Sequence, residues 1–538
     1  MSWFRFVGWI GGLLWCWGCA QQVPPTGGPR DERPPQLDTV HSTPNYQTLF
    51  RKQPIVLVFD EWIKLNDPLN QVVVSPPLAY PPQIKLRKKT VIFDFDEREQ
   101  LRPNATYTIH FGEAIQDMTE GNVAPVRFLF ATGPYIDSLK VMGQVVDAWT
   151  GEPVEGVRLM LYDNLDDSAI YTQRPFYFGT TDAQGHVRIE NVRPDTFKVV
   201  ALADANRNYL YDRGERIAFA SEPIVIRDSV GMIAPLRMFV EEEPLRLLDE
   251  EVLHYGLVRL TFNRRPWDVR LGWDTSEVDG WSLSVQDSIL FWHVPKTPSF
   301  TLYIHQTGRI DTLQIAVPER TTLGQKSPLA PIQPLPPSQA LPPDTAWVWV
   351  FNHPLAALDT AKVQLSDTTG NRLAVQWQID GPARRQLQLK PLKGWRAEMP
   401  YRLSLYAGAL TDVFGLVLAD TLQQNLRVRS RDEFGALHLR LRLPDVQMPY
   451  VVQLYRGSDQ LVEAFSVQAG SLWVHRWPLL KPAKYQLVVI ADRNDDGRWT
   501  TGRYPDRQPE DVFVHQLEEI RPNWEVEAEL DLSFPSVH

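Results

Sequence analysis

Phe197-Lys198-Val199-Val200-Ala201-Leu202-Ala203-Asp204 and Tyr485-Gln486-Leu487-Val488-Val489-Ile490-Ala491-Asp492 are one pattern written twice. Each is an aromatic-led run of β-branched and aliphatic residues that stops at an acid. Runs of this length and composition, bounded by turn residues, read as buried strands. Both lead into loops rich in Asp and Asn. Further out the pairing continues. Val348-Trp349-Val350-Phe351-Asn352 matches Leu57-Val58-Phe59-Asp60, and Ala409-Leu410-Thr411-Asp412 matches Ala114-Ile115-Gln116-Asp117. Leu387-Gln388-Leu389-Lys390-Pro391 comes before the strand Pro400-Tyr401-Arg402-Leu403-Ser404-Leu405. Two kinds of unit, each occurring twice, are expected.

The rest of the chain agrees with an all-β reading. Ile55–Phe59, Gln71–Val74, Thr90–Phe95, Thr106–Phe111 and Val126–Phe130 are short strand signals separated by Pro and Gly, the pattern of a β-sandwich. At 538 residues the chain holds several domains. It has 44 prolines and 18 tryptophans, and no long apolar-periodic segment that would make a helical bundle. Lys plus Arg is 55 and Asp plus Glu is 65, a formal charge of −10. That balance excludes a generally basic nucleic-acid binder, so no nucleic acid is expected among its partners.

The segment around Phe59-Asp60-Glu61, Val74-Ser75-Pro76, Leu101-Arg102-Pro103-Asn104-Ala105-Thr106-Tyr107 and Ile115-Gln116-Asp117 resembles a bacterial Ig-like domain of the S-layer type. Gly143-Gln144-Val145-Val146-Asp147-Ala148, Thr150-Gly151-Glu152-Pro153 and the hairpin Thr180-Thr181-Asp182-Ala183-Gln184-Gly185 resemble a carboxypeptidase regulatory-like domain, a transthyretin-like sandwich. The expected order is a signal peptide at 1–18, a Pro/Gly-rich tether at 19–36, an Ig-like domain at 37–134 and a regulatory-like domain at 135–240. A small β-sandwich at 241–320, a Pro-rich linker at 321–344, a second Ig-like domain at 345–430 and a second transthyretin-like domain at 431–538 follow. The linker reads as an extended spacer that tolerates cutting, with each half folding alone.

Both cysteines lie near the start. Arg5 followed by an apolar run to Trp17 reads as a secretory signal. Its end, Cys16-Trp17-Gly18-Cys19, resembles a bacterial lipoprotein signal with Cys19 as the lipidated residue; Cys16 stands where that pattern usually has Leu. With the tether Pro25-Thr26-Gly27-Gly28-Pro29-Arg30-Asp31, the whole arrangement resembles a family of Bacteroidota Ig-like outer-membrane lipoproteins. The resemblance implies a lipid-anchored protein of the outer membrane. The lack of acids directly after Cys19 favours the periplasmic face over the cell surface.

Catalytic motifs are missing from the sequence. There is no His-Glu-x-x-His, no Gly-x-Ser-x-Gly and no Walker-type loop, and the eleven histidines are scattered. The reading is therefore a non-enzymatic envelope lipoprotein that scaffolds or binds an outer-membrane protein or envelope complex. A glycan- or peptidoglycan-binding module is the alternative. A glycoside-acting enzyme built on paired carboxylates, such as Asp94 with Asp96 or Glu241-Glu242-Glu243, is least favoured. Trp273, Trp281, Trp292, Trp347 and Trp349 are expected in cores more than on a sugar-stacking platform.

Two loops have calcium-type spacing. In the first, Asp204, Asn206, Asn208, Asp212 and Glu215 place side-chain oxygens at positions one, three, five, nine and twelve, with the Leu210 carbonyl at seven. The second has Asp492, Asn494, Asp496 and the Arg498 carbonyl, but Arg503 stands at position twelve. A structural Ca²⁺ is one reading; an Asx-rich turn satisfying its own backbone N–H groups is the other. Asp followed by Ser or Thr and a small or aliphatic residue occurs at Thr39, Ser138, Ser168, Ser229, Ser288, Thr312, Thr345, Thr360, Thr368 and Thr421. This resembles the O-glycosylation acceptor of exported Bacteroidota proteins, and it is also a natural turn before a strand.

Overall fold

Strict alternation buries Ile55 and Leu57 of strand Ile55–Val58 and leaves Val56 and Val58 half-buried, as a strand with one covered face requires. The computed structural model describes residues 32–532 apart from 228–229, 307, 333–337 and 469. Cys19, most of the tether and Ser229 lie outside the described residues. Ile55–Val58, Thr90–Asp94 and Gln83–Arg87 form one antiparallel sheet. It faces a second sheet of Val73–Ser75, Thr106–His110 and Arg127–Ala131. The pair Ile63–Leu65 and Ile115–Asp117 completes this unit. Phe93, Tyr107, Phe128 and Phe130 fill the space between, with Tyr107 stacked on Phe130 at 5.1 Å. The Tyr107 hydroxyl accepts a hydrogen bond from Arg102 N at 2.8 Å, five residues upstream, which ties the turn to the strand as a tyrosine corner does.

The same topology recurs strand for strand. Trp347–Val350, Gln386–Pro391 and Val375–Asp380 form the first sheet, and Leu355–Leu358 pairs Leu410–Asp412. Val363–Asp367, Pro400–Leu405 and Leu422–Val428 form the second. Tyr401 repeats the corner, accepting from Arg396 N at 2.8 Å.

The topology of the following unit also recurs. Between 139 and 240 the strand Asp195–Leu202 lies between Arg158–Tyr162 and Arg216–Phe219, and Leu236–Val240 runs parallel to Leu139–Asp147. Between 435 and 531 the strand Tyr485–Ala491 lies between Tyr450–Arg456 and Val512–Gln516, and Glu525–Asp531 runs parallel to Gly435–Arg442. Residues 247–316 make two further sheets, Leu247–His254 with Leu257–Phe262, Ser288–Pro295 and Val278–Val285, and Arg270–Trp273 with Ser299–Gln306 and Arg309–Ala316. The molecule is an array of tandem β-sandwiches. Among the described residues no helix is long and apolar enough to cross a membrane.

Two expectations need correction. The segment 321–344 is not a free spacer where it is described. Leu323, Leu329 and Leu341 are 2%, 4% and 5% exposed. Ser338–Leu341 pairs parallel with Leu422–Val428 as an added edge strand, a place where neighbouring prolines cost no ladder hydrogen bonds. The leucines among the prolines supply the apolar area that a spacer would lack. The two halves are also not free of contact, because residues 499–511 pack on the unit at 139–240.

Candidate functional site

The two acidic loops follow equivalent strands, and their side-chain oxygens turn inward on the backbone. In the first loop the Asp204 carboxylate accepts from Asn208 N and Tyr209 N, both at 3.1 Å, and pairs with Arg158. Its side chain is fully buried, so the arginine neutralises the charge at loop position one. Asn206 and Asn208 donate to Asp212 Oδ2 at 2.7 and 2.9 Å. Asn208 Oδ1 accepts from Leu210 N at 2.7 Å. Glu215 closes the loop, accepting from Ala205 N at 3.3 Å and Asp212 N at 3.1 Å.

The second loop has a closing acid that its spacing hid. Asp492 accepts from Asp496 N at 3.0 Å and Gly497 N at 2.8 Å. Asn494 Nδ2 and Thr500 Oγ1 donate to Asp496 Oδ2 at 3.1 and 2.9 Å, and Arg498 N donates to Asp496 Oδ1 at 3.1 Å. Glu510 then accepts from Arg493 N and Thr500 N, both at 2.8 Å. Those amides belong to loop positions two and nine, the same two that Glu215 holds in the first loop. Glu510 therefore stands in for the missing acid at position twelve, reached across an insertion. Burial pushes the carboxyl groups of Glu215, Glu510 and Asp492 above their ordinary range. Repulsion from Asp204 and Asp212 adds to the first, from Asp492 and Asp496 to the second, and from Asp496 and Asp495 to the third. Among the described residues no three acids, histidines or cysteines are placed to hold a metal ion.

The insertion itself is an interface. Thr501 Oγ1 donates to Val240 O at 2.8 Å, Tyr504 N to Glu241 Oε1 at 2.6 Å, and Gln508 Nε2 to Phe219 O at 3.0 Å. The Tyr504 ring is 6% exposed and meets Phe219 edge-on at 5.2 Å. Trp499 meets Trp149 at 5.4 Å. Arg237 pairs with Asp511, each side chain 10% exposed. Glu242 lies 3.1 Å from Arg264 and 3.8 Å from Arg498. Glu241 and Glu242 are thus ties between units. The tryptophans are packed as well. Trp292, Trp347 and Trp349 are 1%, 3% and 2% exposed, while Trp273 and Trp281 are half-buried.

Of the Ser/Thr acceptor positions, Thr39, Ser138, Ser168, Thr312, Thr345, Thr360, Thr368 and Thr421 are exposed and Ser288 is half-buried. At three of them the preceding acid makes an Asx turn. Asp38 accepts from Val40 N at 3.0 Å, Asp359 from Ala361 N at 3.1 Å and Asp367 from Thr369 N at 3.0 Å.

The first sandwich, with its tyrosine corner, belongs to a described family. Residues 31–132 match the bacterial Ig-like domain. The Ig-like resemblance is borne out over that stretch. No curated protein matches the chain. Among solved structures it is similar to the surface layer protein SbsC, domains 1–6, at 8% identity and a TM-score of 0.14, covering 90% of this chain and 67% of that one. The Bacillus anthracis TIE protein is similar at 8% identity and a TM-score of 0.13, over 93% of this chain and 74% of that one. The N-terminal four Ig domains of Dscam1 isoform 7.44 are similar at 11% identity and 0.15, over 71% and 96%.

Proposed function

We propose that the protein is a scaffold of the bacterial outer membrane, lipid-anchored through Cys19 at the periplasmic face, that recruits a protein partner by strand addition. Two long edge strands support this reading most directly. Leu247–His254 ends the sheet that it shares with Leu257–Phe262 and keeps Leu248, Val252 and Leu253 exposed at 62%, 40% and 36%. Gln460–Val467 ends another and exposes Leu461 and Val462. An unpaired edge of eight residues offers main-chain hydrogen bonds to an extended segment of a partner. Units fastened to each other hold such edges at fixed separation.

The test is co-purification with outer-membrane proteins after mild detergent, comparing wild type with Leu248→Lys/Val252→Lys. Loss of the partner in the variant supports the reading. Equal recovery removes the first edge, and retention on a polysaccharide resin instead favours the glycan-binding alternative. Calcium is a second reading for these loops, resting on the oxygen spacing of their sequences. A melting temperature unchanged between millimolar calcium and chelator would leave both loops as hydrogen-bonded turns.

A further inference from the structure

Where the 320–332 strap meets the second Ig-like unit, three side chains stand in a line. Ser327 Oγ lies 2.9 Å from His353 Nε2, and His353 Nδ1 lies 2.7 Å from Asp412 Oδ2. They come from three elements: the residue after the helical turn Leu323–Lys326, the turn after Trp347–Val350, and the strand Leu410–Asp412. The His353 and Asp412 side chains are 1% and 0% exposed, while Ser327 is half-buried at the edge.

From this geometry we infer that Ser327, His353 and Asp412 form an acyl-transfer triad able to hydrolyse short-chain esters. Each part has the placement its role needs. Asp412 Oδ1 accepts from Phe414 N at 2.9 Å and Leu416 N at 2.8 Å. Those donors fix the carboxylate, and Oδ2 then accepts the hydrogen bond from His353 Nδ1–H. That fixes the tautomer and turns the Nε2 lone pair toward the Ser327 hydroxyl. The imidazole is clamped against the Phe414 ring at 5.3 Å. Asn352 Nδ2 donates to Pro328 O at 2.9 Å and to Ser327 Oγ at 3.3 Å, which holds the serine beside the imidazole; a developing oxyanion would take over the second of these bonds.

The first Ig-like unit provides the contrast. There Asp117 holds the same turn, accepting from Thr119 N at 2.6 Å and Glu120 N at 2.9 Å. The position of His353 is taken by Glu61. The aspartate is present in both copies, and the first copy forms its turn without a histidine. In the second copy both the histidine and the serine are additions to a turn that is already satisfied.

In the reaction, Oγ attacks the ester carbonyl carbon and its proton passes to Nε2. The C–O bond to the leaving alcohol breaks, and that alkoxide takes the proton from Nε2. Water then attacks the acyl-serine by the same route and releases the acid. Ser327 is half-buried and His353 enclosed, so the substrate class is a small acyl ester, such as an O-acetyl group.

The experiment incubates the full-length protein with a fluorophosphonate and maps the adduct by mass spectrometry. Turnover of p-nitrophenyl acetate is followed in parallel for wild type and Ser327→Ala. A single adduct at Ser327, with turnover falling about 100-fold in Ser327→Ala, is the expected result. No adduct at Ser327, or equal turnover in both proteins, overturns the triad and leaves the three groups as a tie fastening the strap. The labelling uses the native protein, so a folding defect in the variant cannot decide the outcome. The scaffold reading stands or falls separately, on partner recovery.

Discussion

Replacing Tyr504 with Ala removes a ring that is 6% exposed and lies between two units almost 300 residues apart in sequence. Truncating a buried aromatic costs about 3–5 kcal/mol when the site cannot collapse, and edge-on pairing such as that with Phe219 accounts for about 0.5–1.5 kcal/mol of it. The Lys198 contact to the Tyr504 hydroxyl, at 3.3 Å, goes too. Neither sandwich needs this ring for its own sheets, so the loss falls on their coupling. Thermal unfolding of Tyr504→Ala should split into separable transitions, where wild type melts the two units together. Hydrogen exchange should rise at Tyr504 N, which bonds Glu241, and around Val240, but not in Tyr485–Ala491. An unchanged melting profile with unchanged exchange at these positions would refute the idea that the insertion couples the units.

Gly502→Ala should have the same effect by overpacking, since a Cβ there would fall 2.4 Å from the Phe239 ring; a destabilisation of about 1–3 kcal/mol is expected in urea melts. Glu510→Gln should cost about 1–3 kcal/mol, because an amide can accept from only one of Arg493 N and Thr500 N and turns a donor toward the other; Trp499 fluorescence during urea unfolding reads it. Because burial raises the Glu510 carboxyl in the folded state, the folded loop holds more protons than the unfolded one between the ordinary value of 4.5 and that raised value. Stability from this group should therefore increase as pH falls through that window and be lost as pH rises, and the pH slope should shrink in Glu510→Gln, leaving the share of Glu215 and Asp492. Cys19→Ser should leave the protein out of the detergent phase, and partitioning like wild type would end the lipoprotein reading.

The repeat was legible because buried strands impose local patterns. Phe197–Asp204 and Tyr485–Asp492 share theirs through burial of the same strand in the same sheet. Glu510 was not legible, because the insertion after Thr500 broke the twelve-residue count that made Glu215 visible. The strap was misread because proline content reports the missing N–H groups, while Leu323, Leu329 and Leu341 decide the docking. Ser327, His353 and Asp412 come from separate elements, and a lone histidine in a sequence carries no signal of what it faces. The interface at Tyr504 has no periodicity to read, since a single loop makes it.

The distance along the chain between Phe219 and Tyr504 also sets an order of events as the chain is made. The protein emerges from its N-terminus, so the second unit is complete long before its cover arrives. Until residues 499–511 follow, Phe219 and Phe239 present bare apolar surface to solvent, beside an Arg237 without its aspartate. A chain paused at that stage is a client for a holding chaperone, and truncation anywhere between 241 and 498 would leave it there permanently.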